Sequence, residues 1–191
     1  RNVDFGGGLE RIVAASNDSP NIFTIDVFAP LVALIRAGGG SSNQRSEEIV
    51  ADHVRASVFL IGDGLTPSNK DRGYVLRRLI RRAITHGNYL IGLPAGFLSA
   101  LIDTVISSYE DTYPELKQSR DIIREVFEKE QAAFERTYTN GIKYFTVYAR
   151  RKQEGKEYVS RSDIAVLSGK DAFDLYQNHG FPLEVIRDLA Q

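Results

Sequence analysis

The chain has 191 residues, 42% of them apolar and 26% charged, and carries a net charge of −1 at neutral pH. That mix excludes a disordered or low-complexity chain, and the length allows one ordinary domain, or one domain with part of another. No apolar run approaches the roughly 20 residues a bilayer span needs, RNVDFGGG has no signal-peptide core, and the absence of cysteine excludes disulfides and thiolate metal sites; these features fit a cytoplasmic protein.

In chain order, RNVDF (1–5) reads as the end of a strand, and GGGLERIVAA as a turn feeding a helix. SNDSPN (16–21) is turn chemistry. Thr24 is a candidate cap for a helix in which Val27, Phe28, Leu31, Leu34 and Ile35 recur at helical spacing. AGGGSSNQ (37–44) has the composition of a flexible linker and is the best internal boundary. Ser46, followed by Glu47 and Glu48, predicts a helix start with a capping hydroxyl and acids at the positive end of the dipole. Ile49, Val50, His53, Val54, Ser57, Val58 and Ile61 line one face of that helix, and Gly62 and Gly64 end it.

The loop LTPSNKD then leads into a basic helix predicted over 72–86, with Gly87 at its C-cap position. FLSALIDTVISSY (97–109) is a further apolar helix. Pro114 opens the next, which runs through Ile122, Ile123, Val126, Phe127 and Phe134. An amphipathic piece covers 141–150, and RKQEGKE (151–157) is a polar link. Ser168 caps a helix over 169–180, and Pro182 starts a last one. Helical periodicity dominates and β-alternation is scarce, so the chain is expected to be mainly α.

The stretch NKDRGYVLRRLIRRAITHG (69–87) holds six basic side chains and one acidic one, in a protein that is nearly neutral overall. On a helix, Val75, Leu76, Leu79, Ile80, Ala83 and Ile84 fall on one side. Arg77, Arg78, Arg81 and Arg82 fall on another, with no acidic residue three or four positions away. Guanidinium forks so placed suit phosphate oxygens, which they can grip bidentately. A solvated helix face whose arginines pair with acids elsewhere in the fold is the alternative. Asn69, in the loop ahead of this helix, offers both a donor and an acceptor to a base edge.

DFGGGLER (4–11) sets three glycines between an acid and an arginine. Glycine lets a backbone approach a ligand closely, and a helix start aims amides at an anion. The bare pattern lacks the lysine and Ser/Thr of a P-loop and reads better as a tight strand-to-helix turn. His53, His86 and His179 lie far apart without a local ligand cluster, so no metal site is expected.

Taken together, three stretches resemble the alanyl-tRNA synthetase family of class II. NVDFGGGLERI (2–12) resembles its motif 3, usually Asp-Thr-Gly-x-Gly-Leu-Glu-Arg. IVADHVRASVFLIGDGLTPSNKDRGYVLRRLIRRAITHGN (49–88) resembles the start of its helical tRNA-recognition domain. LSGKDAFDLYQNHGFPLEVIRDLA (167–190) resembles the end of that domain, ahead of the editing domain. The resemblance implies a helical tRNA-binding domain preceded by the last strand–helix piece of a class II catalytic domain. Residues 1–37 would end the catalytic domain, and 38–191 would be the tRNA-recognition domain, truncated before the editing domain.

It further implies roles for single residues. Asp4 holds the amino group of alanine, Gly6 and Gly8 leave room for the adenylate, and Arg11 contacts ATP as the catalytic motif 3 arginine. Asn69 reads the G·U wobble pair of the tRNA(Ala) acceptor stem, beside the backbone-gripping Arg77, Arg78, Arg81 and Arg82. The family often has an aspartate, which joins in reading that pair, where Gln177 stands here; Phe5 and Gly7 are also departures. The implied parent activates alanine with ATP and Mg²⁺ and transfers it to tRNA. Motifs 1 and 2 would lie upstream. The lack of any methionine, and an arginine at position 1 inside a motif, point to a piece of a longer chain. Such a piece is expected to bind the acceptor stem mainly, and to be inactive alone.

Overall fold

The computed structural model describes the backbone of residues 6–39, 42–154 and 168–179, together with 181, 183, 186 and 187. Its described elements are helical and include no strand. The mainly α expectation therefore holds, while the strand end expected at 1–5 lies outside the described residues. The chain divides into two compact units, one up to Phe127 and one from Glu128.

In the first unit, α1 (Leu9–Ser16) follows the glycine turn. Thr24 does not cap a helix. It closes a 3₁₀ turn, Ile22–Thr24, begun by Asn21, whose Oδ1 accepts from the Phe23 amide at 2.8 Å. The helix starts later, as α2 (Ala29–Ala37), because Pro30 in its first turn has no amide to leave unsatisfied. Phe28, Leu31, Val32 and Ile35 are buried. The glycines that follow are not simply slack. A Cβ on Gly38 would lie 2.5 Å from the Phe97 ring, so close packing requires glycine there.

The helix predicted from Ser46 begins at Gln44, as α3 (Gln44–Gly62), and its cap is Asn43, whose Oδ1 accepts from the Ser46 amide at 3.0 Å. With that amide satisfied, Ser46 turns inward and its Oγ lies 3.0 Å from Nδ1 of His86. Glu47 turns inward too and receives Nε of Arg36 at 2.7 Å. Gly62 is the last helical residue and Gly64 takes φ +86°, as a glycine stop should.

α4 (Asp71–Ile84) does not stop at Gly87. It runs into a π-helical turn, Thr85–Leu90, whose Ile91 amide donates to the His86 carbonyl at 3.0 Å. Gly87 is buried inside that turn, and a Cβ there would sit 3.3 Å from Leu93, so close approach rather than capping explains the residue. α5 (Phe97–Tyr109) matches its expected span and buries Phe97, Leu98, Leu101, Ile102, Val105 and Ile106. The helix expected to run on from Pro114 is two helices, α6 (Pro114–Gln118) and α7 (Arg120–Glu154). The short α6 seats Leu116 against Gly62, where a Cβ would come within 2.6 Å of Leu116 Cδ2.

α3 is the centre of this unit and packs on α2, α4, α5, α6 and the π turn. Its Val50, Val54, Val58 and Ile61 are buried, as are Leu76, Ile80, Ala83 and Ile84 of α4. Each of the valine, leucine and isoleucine side chains among them contributes about 1.5–3 kcal/mol by leaving water. Two members of the predicted α4 face do not join it: Leu79 is half-buried and Val75 is exposed.

In the second unit, α7 continues unbroken to Glu154, absorbing both the 141–150 piece and the first part of the expected polar link. α8 (Gly169–His179) starts at Ser168, whose Oγ accepts from the Asp171 amide at 3.2 Å, as expected. Phe134, Tyr138, Leu175, Phe181 and Ile186 are buried. Gly141 lets the Phe181 ring lie against α7, since a Cβ would be 2.3 Å from its Cδ2. Pro182 lies outside the described residues.

Candidate nucleic-acid interface

The loop ahead of α4 is held against the start of the helix. The Ser68 amide donates to the Gly73 carbonyl at 3.0 Å, and Ser68 Oγ donates to the Lys70 carbonyl at 2.7 Å. The loop passes so near Gly73 that a Cβ there would lie 2.4 Å from Ser68 Oγ and 2.6 Å from the Thr66 carbonyl. Lys70 precedes the helix as its N-cap, and Asp71 opens it at φ +49°. Asn69 is exposed on this braced loop, with its Oδ1 accepting a hydrogen bond from Nη1 of Arg77.

The four arginines share one stretch of α4 but differ in setting. Arg78 is exposed, while Arg77, Arg81 and Arg82 are half-buried. Each of the four makes an interaction within the chain. A guanidinium carries five donors, so one intramolecular contact and a phosphate are compatible. Tyr74 and Val75, both exposed, sit beside Arg78 on the same surface at helical spacing.

At the other candidate site, Gly8 is the N-cap of α1 and its carbonyl accepts from Ile12 at 3.1 Å. The aliphatic stem of Arg11 lies 3.5 Å from where a Gly8 Cβ would be, and Arg11 is exposed. Gly6 is exposed with open space around it. Asp4 lies outside the described residues.

A cluster that sequence reading missed joins α1 to α3. Arg55 donates from Nη2 to Glu10 at 2.8 Å and from Nε to the Tyr109 hydroxyl at 2.7 Å. Its guanidinium also lies over the Phe28 ring, 4.8 Å from the centroid. Burial works against the Arg55 charge, but the hydrogen bonds to Glu10 and Tyr109 outweigh it and raise its pKa. Glu10 is held below the usual carboxylate range by its own backbone amide and then by Arg55. Burial pushes the Tyr109 hydroxyl up. The partners are 45 and 54 positions from Arg55, so no local pattern could reveal them.

His53 and His86 have separate partners. His53 Nδ1 lies 2.9 Å from Asp52 Oδ2, while His86 is buried beside Ser46. The side chain of His179 lies outside the described ones. No group of three or more His, Cys, Asp or Glu able to hold a metal ion occurs among the described residues. No described helix is long and apolar enough to cross a membrane. Gln177 is exposed on α8, in the second unit.

The family described as tRNA synthetases class II (A) matches the chain over residues 1–191. Among similar proteins are the alanine–tRNA ligases of Streptococcus pyogenes serotype M6 and of Streptococcus agalactiae serotypes V and III, each 39% identical over 197 aligned positions. Each match covers all of this chain and 22% of the relative's length.

Proposed function

The chain belongs to the class II (A) tRNA synthetases, and from that premise we propose that it is the part of an alanine–tRNA ligase that closes the catalytic domain and grips the tRNA acceptor stem. Residues 1–37 end the catalytic domain with a last strand–helix piece, and 38–191 form the tRNA-recognition domain of a cytoplasmic enzyme. The observation that carries this reading is Asn69, exposed on a braced loop and hydrogen-bonded to Arg77 of α4. An amide beside guanidinium groups combines the two needs of acceptor-stem recognition. Arg77, Arg78, Arg81 and Arg82 orient the RNA by its phosphates, and Asn69 reads a base pair.

Asp4 pairs with the ammonium of alanine, Gly6 and Gly8 leave space for the adenylate, and Arg11 neutralises phosphate charge and stacks on adenine. The open space at Gly6 and the exposure of Arg11 are compatible with those roles. In the whole enzyme the chemistry is positioning and electrostatic stabilisation of adenylate formation and of transfer to the tRNA 3′ end. ATP is bound there with Mg²⁺, which offsets phosphate charge; no residue of this chain is assigned to the ion. Gln177, where an aspartate is usual, brings an uncharged donor and acceptor to the stem.

Binding of acceptor-stem hairpins carrying G·U or G·C at the wobble position, measured by fluorescence anisotropy at several salt concentrations, tests the reading. A preference for G·U that Asn69→Ala reduces by about 1–3 kcal/mol supports it. A steep salt dependence with equal affinity for both stems would show generic backbone binding instead. The chain alone should give no alanine-dependent exchange of pyrophosphate into ATP, and robust exchange contradicts its assignment as a non-catalysing part.

A further inference from the structure

We propose that Arg77 is a positioning residue, which fixes the direction of the Asn69 amide so that Asn69 reads its base pair as a hydrogen-bond donor. This rests on the acceptor-stem reading above and deepens it. An asparagine amide has an acceptor arm and a donor arm of nearly the same shape, so an untethered one can present either. Arginine removes the ambiguity, because a guanidinium has donors and no acceptor. The Asn69 arm that meets Nη1 of Arg77 must therefore be Oδ1. Nδ2 is left on the opposite arm, and it makes no hydrogen bond among the described residues.

The surroundings suit this role. Arg77 is half-buried on α4, whereas Asn69 is exposed, so the anchored partner orients the presented one. The loop itself is braced by Ser68 on Lys70 and Gly73, which limits the backbone movement that would otherwise carry the amide away. The base atom that Asn69 touches must then be an acceptor: a carbonyl oxygen or an unprotonated ring nitrogen. A bare amino group would meet a donor and be rejected. Arg77 thus has a task beyond the phosphate contact it shares with Arg78, which is exposed on the same helix.

The test uses this chain with the two hairpins. Arg77→Met should cut the preference for G·U over G·C by roughly tenfold, the loss expected for one base contact. Arg77→Lys, which still donates only to oxygen, should restore part of it. Arg78→Ala should weaken both stems alike. Asn69→Asp is the decisive companion, because it keeps an oxygen for Arg77 on an exposed loop, where folding is not at stake, but has no Nδ2. It should abolish the preference. The proposal is overturned if Asn69→Asp keeps the preference, or if Arg77→Met weakens both stems equally. A wild-type chain without any G·U preference would sink the acceptor-stem reading itself, which separates the two failures.

Discussion

Glu10 and Arg55 meet at 2.8 Å in a half-buried setting, with Tyr109 closing the other side of the guanidinium. Glu10 is deprotonated more readily in the folded state than in the unfolded one. Its contribution to stability is therefore complete above the ordinary glutamate range, and is lost as pH falls through the lowered folded value. Glu10→Gln should destabilise the chain by about 1–2 kcal/mol at pH 7, by replacing a charged acceptor with a neutral one. The gap between variant and wild type should shrink as the solution is acidified and the wild-type carboxylate takes up its proton. Thermal melts followed by circular dichroism from pH 7 to pH 3 check this, and a gap that widens in acid is the wrong sign. Asp103 titrates in the same direction: burial opposes its charge, but hydrogen bonds from Arg124 and Arg120 prevail and lower its pKa. The wild type itself should therefore also lose stability in acid.

Elements were legible where the signal was local, and were misread where a distant contact decided. α5 and the Ser168 start of α8 follow from apolar spacing and a capping hydroxyl, both written within a few residues. Ser46 looked like a cap for the same reason, yet Asn43 takes that place and frees Ser46 for His86, 40 positions away. Gly87 looked like a stop, but the chain continues through a π turn because Leu93 packs where a side chain would stand. The candidate site divides likewise. The basic stripe and Asn69 were visible as residue types at fixed spacing. The Asn69–Arg77 bond and the Arg55 cluster depend on how chain segments meet.

Gly73 shows how tightly the element carries the loop. An added methyl group would press on the Thr66 carbonyl, which is backbone and cannot rotate aside as a side-chain tip would. Gly73→Ala should cost about 1–3 kcal/mol of stability. It should also reduce G·U preference by displacing Asn69, although no side chain proposed to touch RNA is altered. Melting and hairpin binding measured on the same sample check both effects. Unchanged preference would mean that the loop's position does not matter for reading the pair.

At the scale of the whole molecule, net charge and local charge make opposite forecasts. With −1 overall, the chain as a uniform particle should be indifferent to RNA or weakly repelled by it. Phosphate contact, however, is a short-range matter of counterion release at the sites touched, because charges further than a Debye length of about 8 Å are screened at physiological salt. The salt dependence of acceptor-stem binding should thus follow α4 alone. Arg78→Ala should lower the log–log slope by about one, the loss of a single phosphate contact. Restoring net charge elsewhere, with Asp18→Asn on the exposed turn after α1 in the Arg78→Ala background, should leave that lowered slope unchanged. Anisotropy titrations across a range of potassium chloride concentrations measure both slopes. If Asp18→Asn recovers the slope lost with Arg78, the interaction answers to total charge and the arginine stripe is not the surface that holds the RNA.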